Sequence, residues 1–562
     1  MPQILDSLDE QQRAAAECIS GPVVIYAGAG TGKTRTITHR IANAVSSGAH
    51  DPSQSLAVTF TTRAAGELRN RLGSLGVPGV QVRTFHSAAL RQLRFFYPKY
   101  FNAGLPQLVP SKIRYVSDAV GVARVKSSKE TFRDIAAEIE WAKVNILSPE
   151  AYRTQAIAAR RLVSSDISIE DIAKVYEIYL TRMDEANVMD FEDVLLNMTA
   201  LMENFPEVAA TVHKQYRHFT VDEFQDVSPV QFELLSQWLG ERDDVCVVGD
   251  PAQTIYSFSG ATSSYLTNFK NHFPRTLEFQ LTHSYRSTEE VISLANQILA
   301  KDASSPVRLA TTKGKGPKVT STVYSDDEAE AQGVAAQIRE LMNTGISARE
   351  IAVLYRINSQ SEILEAELGG LGIPVTLRGA ERFFERPEVK LALLHLRAGM
   401  VGFATPTLVE TVKDLLSVIG WKPKGPNAGR AEQEKWESLN TIVELAQDAQ
   451  TRDATATLAD FVLLLDKRNE QEFVPSANAV TLASIHAAKG LEWDAVFVVG
   501  LSEGLLPISH AQTPADFAEE RRLLYVAVTR ARTYLRLSWA KSRHTGTKGT
   551  RAESTLLRDL NT

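Results

Sequence analysis

Apolar and polar positions along this chain form short apolar runs separated by longer amphipathic stretches. The apolar runs end in polar or glycine-rich residues and lie at 23–27, 56–61, 219–222, 245–249, 351–355, 495–500 and 534–539. Continuous apolar runs of this length are typical of strands that are buried on both faces of a parallel sheet. Because amphipathic helical patterns lie between many of them, the alternation predicts an α/β fold with helices covering parallel sheets.

Two stretches interrupt this alternation. Residues from about 90 to 195 are mostly helical in pattern, as at 130–146, where apolar residues recur at helical spacing. Residues from about 380 to 477 are also helical in pattern, with a loop expected at 421–429. We interpret both stretches as helical insertions into two α/β domains, and the lysine- and glycine-rich segment 312–318 as a turn in the second domain.

Composition narrows the class of protein. Of the 562 residues, 44% are hydrophobic and 23% are charged, which permits large buried cores in about three to five units. No apolar stretch approaches the roughly 18 residues of a membrane span, and the acidic N-terminal segment does not resemble a secretory signal. Cys18 and Cys246 are far apart in apolar contexts, which favours buried side chains over a disulfide or a zinc site. These features predict a cytoplasmic protein.

Charge is unevenly distributed. A net charge of −6 does not by itself indicate a nucleic-acid-binding protein, because phosphate binding needs a basic face. Between Arg521 and Arg551, however, there are nine basic residues and no acidic residue. We interpret this run as a phosphate-facing surface, and an ordinary solvated face is the alternative.

A glycine-rich segment follows the first predicted strand and precedes a helix predicted at 35–44. Backbone N–H groups of such a loop bind phosphates at a helix N-terminus. Lys33 would reach the β- and γ-phosphates of a nucleotide, and the Thr34 hydroxyl would bind Mg²⁺. Ala27 stands where the usual pattern has glycine, but a small residue is sufficient in this turn. The predicted nucleotide-binding residues of this segment are Ala27, Gly28, Ala29, Gly30, Thr31, Gly32, Lys33, Thr34 and Arg35.

Two adjacent acids follow the predicted strand 219–222. Asp222 would hold Mg²⁺, and Glu223 would act as the general base that accepts a proton from the attacking water. The alternative is that these acids only cap a helix. An acidic strand end together with a glycine-rich phosphate loop favours nucleotide hydrolysis over this alternative.

With these residues in place, the sequence resembles the superfamily 1A helicases, the UvrD/Rep/PcrA family. The resemblance covers nearly the whole chain, and many ordered matches are far more specific than any one of them. The matching segments, in the order of the family motifs, are 8–13, 27–34, 57–65, 84–86, 189–191, 222–226, 248–256, 284–288, 353–361, 485–492 and 520–531.

The resemblance implies a domain organisation. It predicts two RecA-like parallel-sheet P-loop domains with two mainly helical inserted subdomains. The expected ranges are 1–90 and 195–276 for domain 1A, 91–194 for subdomain 1B, 277–379 and 478–562 for domain 2A, and 380–477 for subdomain 2B. The last subdomain is shorter than in the family, and its front at 379–397 matches better than its middle.

The resemblance also assigns roles at the nucleotide. Gln12 would read the adenine edge and Tyr285 would stack on the base, while Glu492 would bind the ribose. Gln253 would sense the γ-phosphate. Arg286 and Arg530 would stabilise charge on it during hydrolysis, in a cleft between the two α/β halves. ATP and Mg²⁺ are therefore the expected cofactors.

A motor that moves on a single strand needs aromatic rings to stack on bases and donors to hold phosphates. The candidates are Phe60, Arg63, His86, Tyr256, Phe258, Arg356 and His486. Each also has a plainer interpretation, as a core aromatic or a satisfied polar residue. The family commonly has Trp and Arg where this chain has Phe258 and Ser259, which reduces the stacking area and removes a cation.

By resemblance, the chain is an ATP-dependent 3′–5′ DNA helicase of repair or replication that translocates on single-stranded DNA. Its expected partners are single strands, junctions of single and double strands, and repair proteins. A monomer is compatible with the sequence, which determines neither oligomeric state nor DNA over RNA. One alternative is a translocase that strips proteins from DNA and unwinds poorly without a partner. Another is a non-catalytic ATP-gated scaffold, which the intact set of catalytic residues disfavours.

Overall fold

A computed structural model describes residues 4–125, 129–161, 167–301, 307–378, 383–400, 407–425, 430–470, 478–543, 551–558 and 560. The chain divides into two compact units. The first unit comprises Met1–Tyr285 and Ala303–Ala310, and the second comprises Arg286–Asp302 and Thr311–Thr562.

The first unit is built on a parallel sheet. Its strands are β1 (Val23–Ala27), β2 (Ser55–Thr59), β3 (Gln81–Thr84), β4 (Gln107–Leu108), β5 (Val188–Met189), β6 (His218–Val221), β7 (Val245–Gly249), β8 (Leu277–Leu281) and β9 (His283–Ser284). Among the described residues, six strands form the main sheet in the order β3-β2-β6-β7-β1-β8, with every neighbouring pair parallel. Every residue of β1, β2 and β7 is buried, as their continuous apolar runs predict.

The helices of the first unit cover this sheet and form the first predicted insertion. They are α1 (Glu10–Glu17), α2 (Lys33–Ser46), α3 (Thr62–Ser74), α4 (Phe85–Phe101), α5 (Ile113–Ala123), α6 (Lys129–Val144), α7 (Pro149–Ala158), α8 (Ile169–Glu185), α9 (Phe191–Asn204), α10 (Pro206–Gln215), α11 (Pro229–Leu239), α12 (Ser264–Thr267) and α13 (Phe269–His272). Helices α5–α8 share a hydrophobic core of their own. The region from about 90 to 195 is thus helical as predicted, with only the short strands β4 and β5 within it.

A buried charged cluster attaches this helical insertion to α9. The Lys143 ammonium on α6 lies 2.8 Å from a carboxylate oxygen of Asp190 and 2.7 Å from one of Asp193. The Tyr179 hydroxyl on α8 donates to Asp190 at 2.6 Å. Burial works against an ionised Asp190, but Lys143 and Lys112 hold the pKa of Asp190 below its usual range. The two cations therefore keep this carboxylate charged inside the protein.

The second unit contains a second parallel sheet. Its strands are β10 (Ala310–Thr311, at the boundary), β11 (Thr320–Tyr324), β12 (Ile351–Tyr355), β13 (Val375–Arg378), β14 (Val480–Ser484), β15 (Trp493–Val498) and β16 (Ala531–Ala540). Within the described part of this unit, six strands pair in the order β11-β16-β15-β12-β14-β13, all parallel. Its helices are α14 (Glu289–Ala300), α15 (Asp327–Asn343), α16 (Ser361–Gly370), α17 (Pro387–Gly399), α18 (Leu408–Ser417), α19 (Arg430–Arg452), α20 (Leu458–Glu470) and α21 (Pro514–Val528).

Helices α17–α20 form the second predicted insertion and pack around their own hydrophobic core. The structure confirms the helical character predicted for this region. The expected boundaries at 379/380 and at 477, and residues 426–429 of the expected loop, lie outside the described residues.

Two bounds expected from the sequence need correction. The boundary expected at residue 276 lies instead after Tyr285, because β8 pairs with β1, with Val23 opposite Leu277, and completes the first sheet. Most of β8 is exposed at the sheet edge, so it lacks the apolar run of a central strand. The strand predicted at 56–61 ends at Thr59, because the Thr61 side chain accepts a hydrogen bond from the Ala64 N–H and caps α3.

The basic run from Arg521 to Arg551 is also not a continuous phosphate-facing surface. Arg530 is buried. Three other arginines of the run form ion pairs with acids that are distant in sequence. The pairs are Arg532 with Glu350, Glu492 and Asp494, Arg543 with Glu444, and Arg551 with Asp327. Lys548 lies outside the described residues.

Neither cysteine forms a disulfide. In the described ranges, every helix is too short or too polar to cross a lipid bilayer.

A polar cluster lies at the amino-terminal edge of the first sheet. The rings of His50 and His218 stack with their centroids 3.5 Å apart and their planes 10° apart. An oxygen of Asp244 lies 2.5 Å from His218 Nδ1 and 3.7 Å from His50 Nε2. An imidazole lone pair lies in the plane of its ring, so one metal ion cannot align with both stacked rings. This arrangement suits hydrogen bonding to Asp244 rather than metal binding.

We expect His50 to make the first unit sensitive to acid. Burial, and then the neighbouring His218, lowers the pKa of His50 to about 4. Below about pH 6.5 the unfolded chain therefore binds a proton that the folded protein does not, so stability falls between pH 6.5 and 4. His50→Phe keeps an aromatic ring but cannot be protonated. Urea unfolding at pH 7.5 and pH 5 should show a smaller loss for this variant, and an equal loss in both proteins would contradict the assignment.

Candidate nucleotide-binding site and strand-binding face

Three loops leave the carboxyl-terminal edge of the first sheet side by side. They follow β6, β7 and β1, which are neighbours in the sheet. Ligand sites of parallel sheets form at this edge, because polar groups from loops distant in sequence meet there. The predicted phosphate loop, the acidic pair and the segment with Gln253 are these three loops.

The loop after β1 has the geometry of a phosphate cradle. Gly30 and Gly32 have positive φ angles of 75° and 82°, which glycine adopts without steric cost. Gly32 caps α2, whose first N–H groups have no acceptors within the helix. A Cβ atom on Gly28 would lie only 2.4 Å from Leu309 Cδ2, so a larger residue here would have to displace the leucine side chain. Such a loop suits a bound polyphosphate.

The first turn of α2 carries the predicted phosphate and metal groups. The helix begins at Lys33, two residues before its predicted start. Lys33 Nζ lies 3.5 Å from the Ala27 carbonyl oxygen at the base of the loop. Arg35 points away, and its guanidinium donates to the Ser7 carbonyl at 2.6 Å. Arg35 therefore tethers the N-terminal segment in this structure.

The residues expected to contact adenine lie around the same loop. Gln12 is buried and its Nε2 donates to the Thr31 carbonyl at 2.9 Å. The Gln12 N–H donates to Asp9, the cap of α1. Tyr285 is 42% exposed, its N–H donates to the Gly30 carbonyl at 2.9 Å, and its hydroxyl donates to Asp9. The structure thus brings Gln12 and Tyr285 to two adjacent residues of one loop, Thr31 and Gly30.

The hydroxyl and the carboxylate expected to bind Mg²⁺ are also adjacent. Thr34 Oγ1 lies 3.3 Å from Asp222 Oδ2. Burial, and then the charge of Glu223, raises the pKa of Asp222 to about 7, while Lys33 opposes the shift. Oxygen ligands of this kind fit Mg²⁺. A bound dication would keep Asp222 ionised.

Glu223 occupies an uncommon backbone conformation. Its φ is +51°, in the left-handed region that non-glycine residues rarely adopt. Its Oε2 accepts a 2.5 Å hydrogen bond from the amide of Gln225. Strained backbone like that of Glu223 is concentrated at active sites.

In the next loop, the Gln253 amide donates to the buried carboxylate of Asp250 at 2.7 Å.

The expected strand-binding residues of the first unit lie on loops after β2, β3 and β7. Phe60, His86 and Tyr256 are half-buried, and Arg63 is exposed. Phe258 is 39% exposed and meets the Tyr256 ring edge-on, at a centroid distance of 6.0 Å. Burial lowers the pKa of His86.

Phe191 was not among the strand-binding candidates from the sequence. It is 49% exposed at the start of α9, and its ring packs edge-on against His86 at 6.1 Å. Its motif was visible in the sequence, but the exposure of an aromatic ring depends on tertiary structure. We add it to the candidates for base stacking.

The nucleotide-contact candidates of the second unit form ion pairs and hydrogen bonds within that unit. Arg286 pairs with Glu492 at 2.5 Å. Although burial works against it, Arg286 and Arg532 lower the pKa of Glu492. Arg530 is 1% exposed and donates to the Val526 and Leu491 carbonyls.

The two strand-contact candidates of the second unit are both half-buried. Arg356 forms a bidentate pair with the buried carboxylate of Glu520 at 2.8 to 3.1 Å. His486 is half-buried. Contacts of either residue to a nucleic acid stay predictions.

Comparisons with known proteins agree with the motif order. Residues 8–274 match the family model for the UvrD/REP helicase N-terminal domain, and residues 279–425 and 422–542 match that for the UvrD-like helicase C-terminal domain. The chain is 45% identical to the ATP-dependent DNA helicase UvrD2 of Mycobacterium tuberculosis, across 99% of this chain and 82% of that protein. It is 30% identical to UvrD1 of the same species, across 99% and 85%. It is 29% identical to PcrA of Bacillus subtilis, across 96% and 84%.

The Thr34 hydroxyl gives a test of the metal assignment. Thr34→Val keeps the shape of the side chain but removes an oxygen ligand, so half-saturation by Mg²⁺ in ATP hydrolysis should need on the order of tenfold more metal. Thr34→Ser should restore the normal requirement. Thr38→Val is the matched control, because its hydroxyl bonds only to carbonyls inside α2 among the contacts seen. Equal Mg²⁺ requirements for all four proteins would contradict the assignment.

Proposed function

Because the chain belongs to the UvrD/Rep family of ATP-dependent DNA helicases, we propose that it moves 3′ to 5′ along single-stranded DNA. It couples this movement to unwinding at junctions during repair or replication, in the cytoplasm. The observation that carries the proposal is the loop after β7. Gln253, Tyr256 and Phe258 lie on one short segment, so phosphate sensing and base stacking share a stretch of backbone.

The chemistry requires three kinds of group on the first unit. The loop N–H groups and Lys33 hold the phosphates of ATP. Glu223 accepts a proton from water while the water oxygen bonds to the γ-phosphorus and the bond to ADP breaks. Thr34 and Asp222 would hold Mg²⁺, which would supply positive charge beside the phosphates. The resemblance implies that Arg286 and Arg530 would stabilise the negative charge that develops on the γ-phosphate.

A second candidate is a translocase that removes proteins from single strands and unwinds poorly without a partner. The specific observation in its favour is the segment Phe258–Ser259. Ser259 brings no cation to the strand, and its hydroxyl donates to the Tyr256 carbonyl at 2.9 Å. A weaker hold on the strand reduces the force available to separate a duplex.

The polarity and the coupling can be tested with tailed duplexes. We expect ATP hydrolysis to be stimulated strongly by single-stranded DNA, and unwinding to occur with a 3′ tail and not with a 5′ tail. Matched DNA and RNA strands should compete unequally, in favour of DNA. Unwinding from the 5′ tail would contradict the proposed direction, and stimulation without any unwinding would favour the translocase.

Phe258 tests the strand-binding face. Phe258→Ala should weaken binding to single-stranded DNA by about 1–3 kcal/mol, because one base loses its stacking partner, and Phe258→Trp should strengthen it. Phe95→Ala is the control, because Phe95 is a 54% exposed aromatic of the same unit on α4. Binding is measured by fluorescence anisotropy with a labelled strand at fixed salt. Equal losses at both positions would contradict a specific role of Phe258.

A further inference from the structure

Gln225 lies between the general base and the loop after β7. It is the middle residue of a short 3₁₀ turn, Phe224–Asp226, that follows β6. Its side chain is completely buried, with 0% exposure. A buried primary amide is stable only when its donor and acceptor ends both find partners. The hydrogen-bond partners of Oε1 and Nε2 therefore show which groups the Gln225 side chain connects.

The orientation of this amide is determined by its partners. The backbone N–H of Asp250 lies 3.1 Å from Gln225 Oε1, and an N–H group can only donate. The oxygen end must therefore face Asp250, which turns Nε2 towards Glu223 Oε2 at 2.5 Å. Nε2 also lies 3.5 Å from Asp226 Oδ2. Gln225 thus donates to the base and accepts from the start of the neighbouring loop.

The end of β7 makes room for this connection. A Cβ atom on Gly249 would lie 2.5 Å from Gln225 Oε1 and 3.1 Å from Gln225 N. Any larger residue at this position would displace the glutamine. The last residue of β7 therefore permits the close approach of the two loops.

A carboxylate on a flexible side chain is an inefficient base unless its direction is fixed. Glutamate has several rotatable bonds, and a displacement of about 1 Å at a reacting group can cost on the order of 100-fold in rate. An ionised carboxylate offers about four lone-pair positions. One bond from Gln225 can therefore orient Glu223 and still leave it able to accept a proton from water.

We propose that Gln225 is a positioning residue for ATP hydrolysis that orients Glu223 and ties it to the loop carrying Gln253. This inference rests on the proposed role of Glu223 as general base. Gln225 acts through Glu223 and does not itself touch ATP.

The test compares turnover with binding. Gln225→Met fills a similar volume but neither donates nor accepts a strong hydrogen bond. We expect kcat to fall on the order of 10- to 100-fold, with and without DNA, because the base is no longer oriented. The KM for ATP and the affinity for single-stranded DNA should stay within about threefold of the parent, because the phosphate and strand contacts are intact.

Gln92→Met is the matched control for a purely structural effect. Gln92 is another buried glutamine of the first unit, and its Oε1 accepts from the Trp238 indole at 2.9 Å. This variant also loses a buried hydrogen bond, but kcat below its melting temperature should be normal. If Gln225→Met instead lowers thermal stability and weakens ATP and strand binding together with kcat, a structural role replaces the proposal.

A double variant separates this inference from the function on which it rests. If Gln225 acts through Glu223, adding Gln225→Met to Glu223→Gln should cause no further loss of kcat. An inactive Glu223→Gln together with normal turnover in Gln225→Met would overturn the positioning role alone. Normal turnover in Glu223→Gln would overturn the general-base assignment itself.

Discussion

Parallel pairing of β6, β7 and β1 is the constraint on which the candidate site depends. The three strands are neighbours, and their carboxyl ends must leave the sheet at one edge. The phosphate loop, the acidic pair and the loop with Gln253 therefore meet although almost two hundred residues separate the first from the second, as at Thr34 and Asp222. Several of these polar groups, such as Asp222, Gln225 and Asp250, are buried and must find partners. This requirement accounts for the chain of contacts from Glu223 through Gln225 to Asp250.

The helical insertion of the first unit is attached by charge as well as by apolar packing. Lys143, from within the insertion, lies between Asp190 and Asp193 at the start of α9. A buried ion pair contributes little net stability, but breaking it is strongly destabilising, because one charge is left without a partner. The contact therefore favours one position of the insertion on α9 over alternative packings.

The central strands were predictable from the sequence because their signal, a continuous apolar run, lies within the segment itself. The strands at 23–27, 245–249 and 351–355 have continuous apolar runs and match their predicted bounds. The edge strand β8 was missed because its exposed residues dilute the pattern. The phosphate loop is recognisable from spacing alone, whereas the pairing of Arg532 with distant acids depends on the finished fold. Gln225 belongs to the motif at 222–226, which is recognisable from the sequence. Its connection of Glu223 to Asp250, however, is visible only from its burial and its two hydrogen bonds in the structure.

The left-handed backbone of Glu223 has a consequence for how this protein can vary. At a φ of +51° a glutamate is strained, by on the order of 1–3 kcal/mol, where glycine would be relaxed. Thermostability alone would thus favour the replacement of the very residue proposed as the base. Selection for thermostability and selection for ATP hydrolysis act in opposite directions at this position, which is a local stability–activity trade-off. Screens that reward only folding should accumulate inactive variants here.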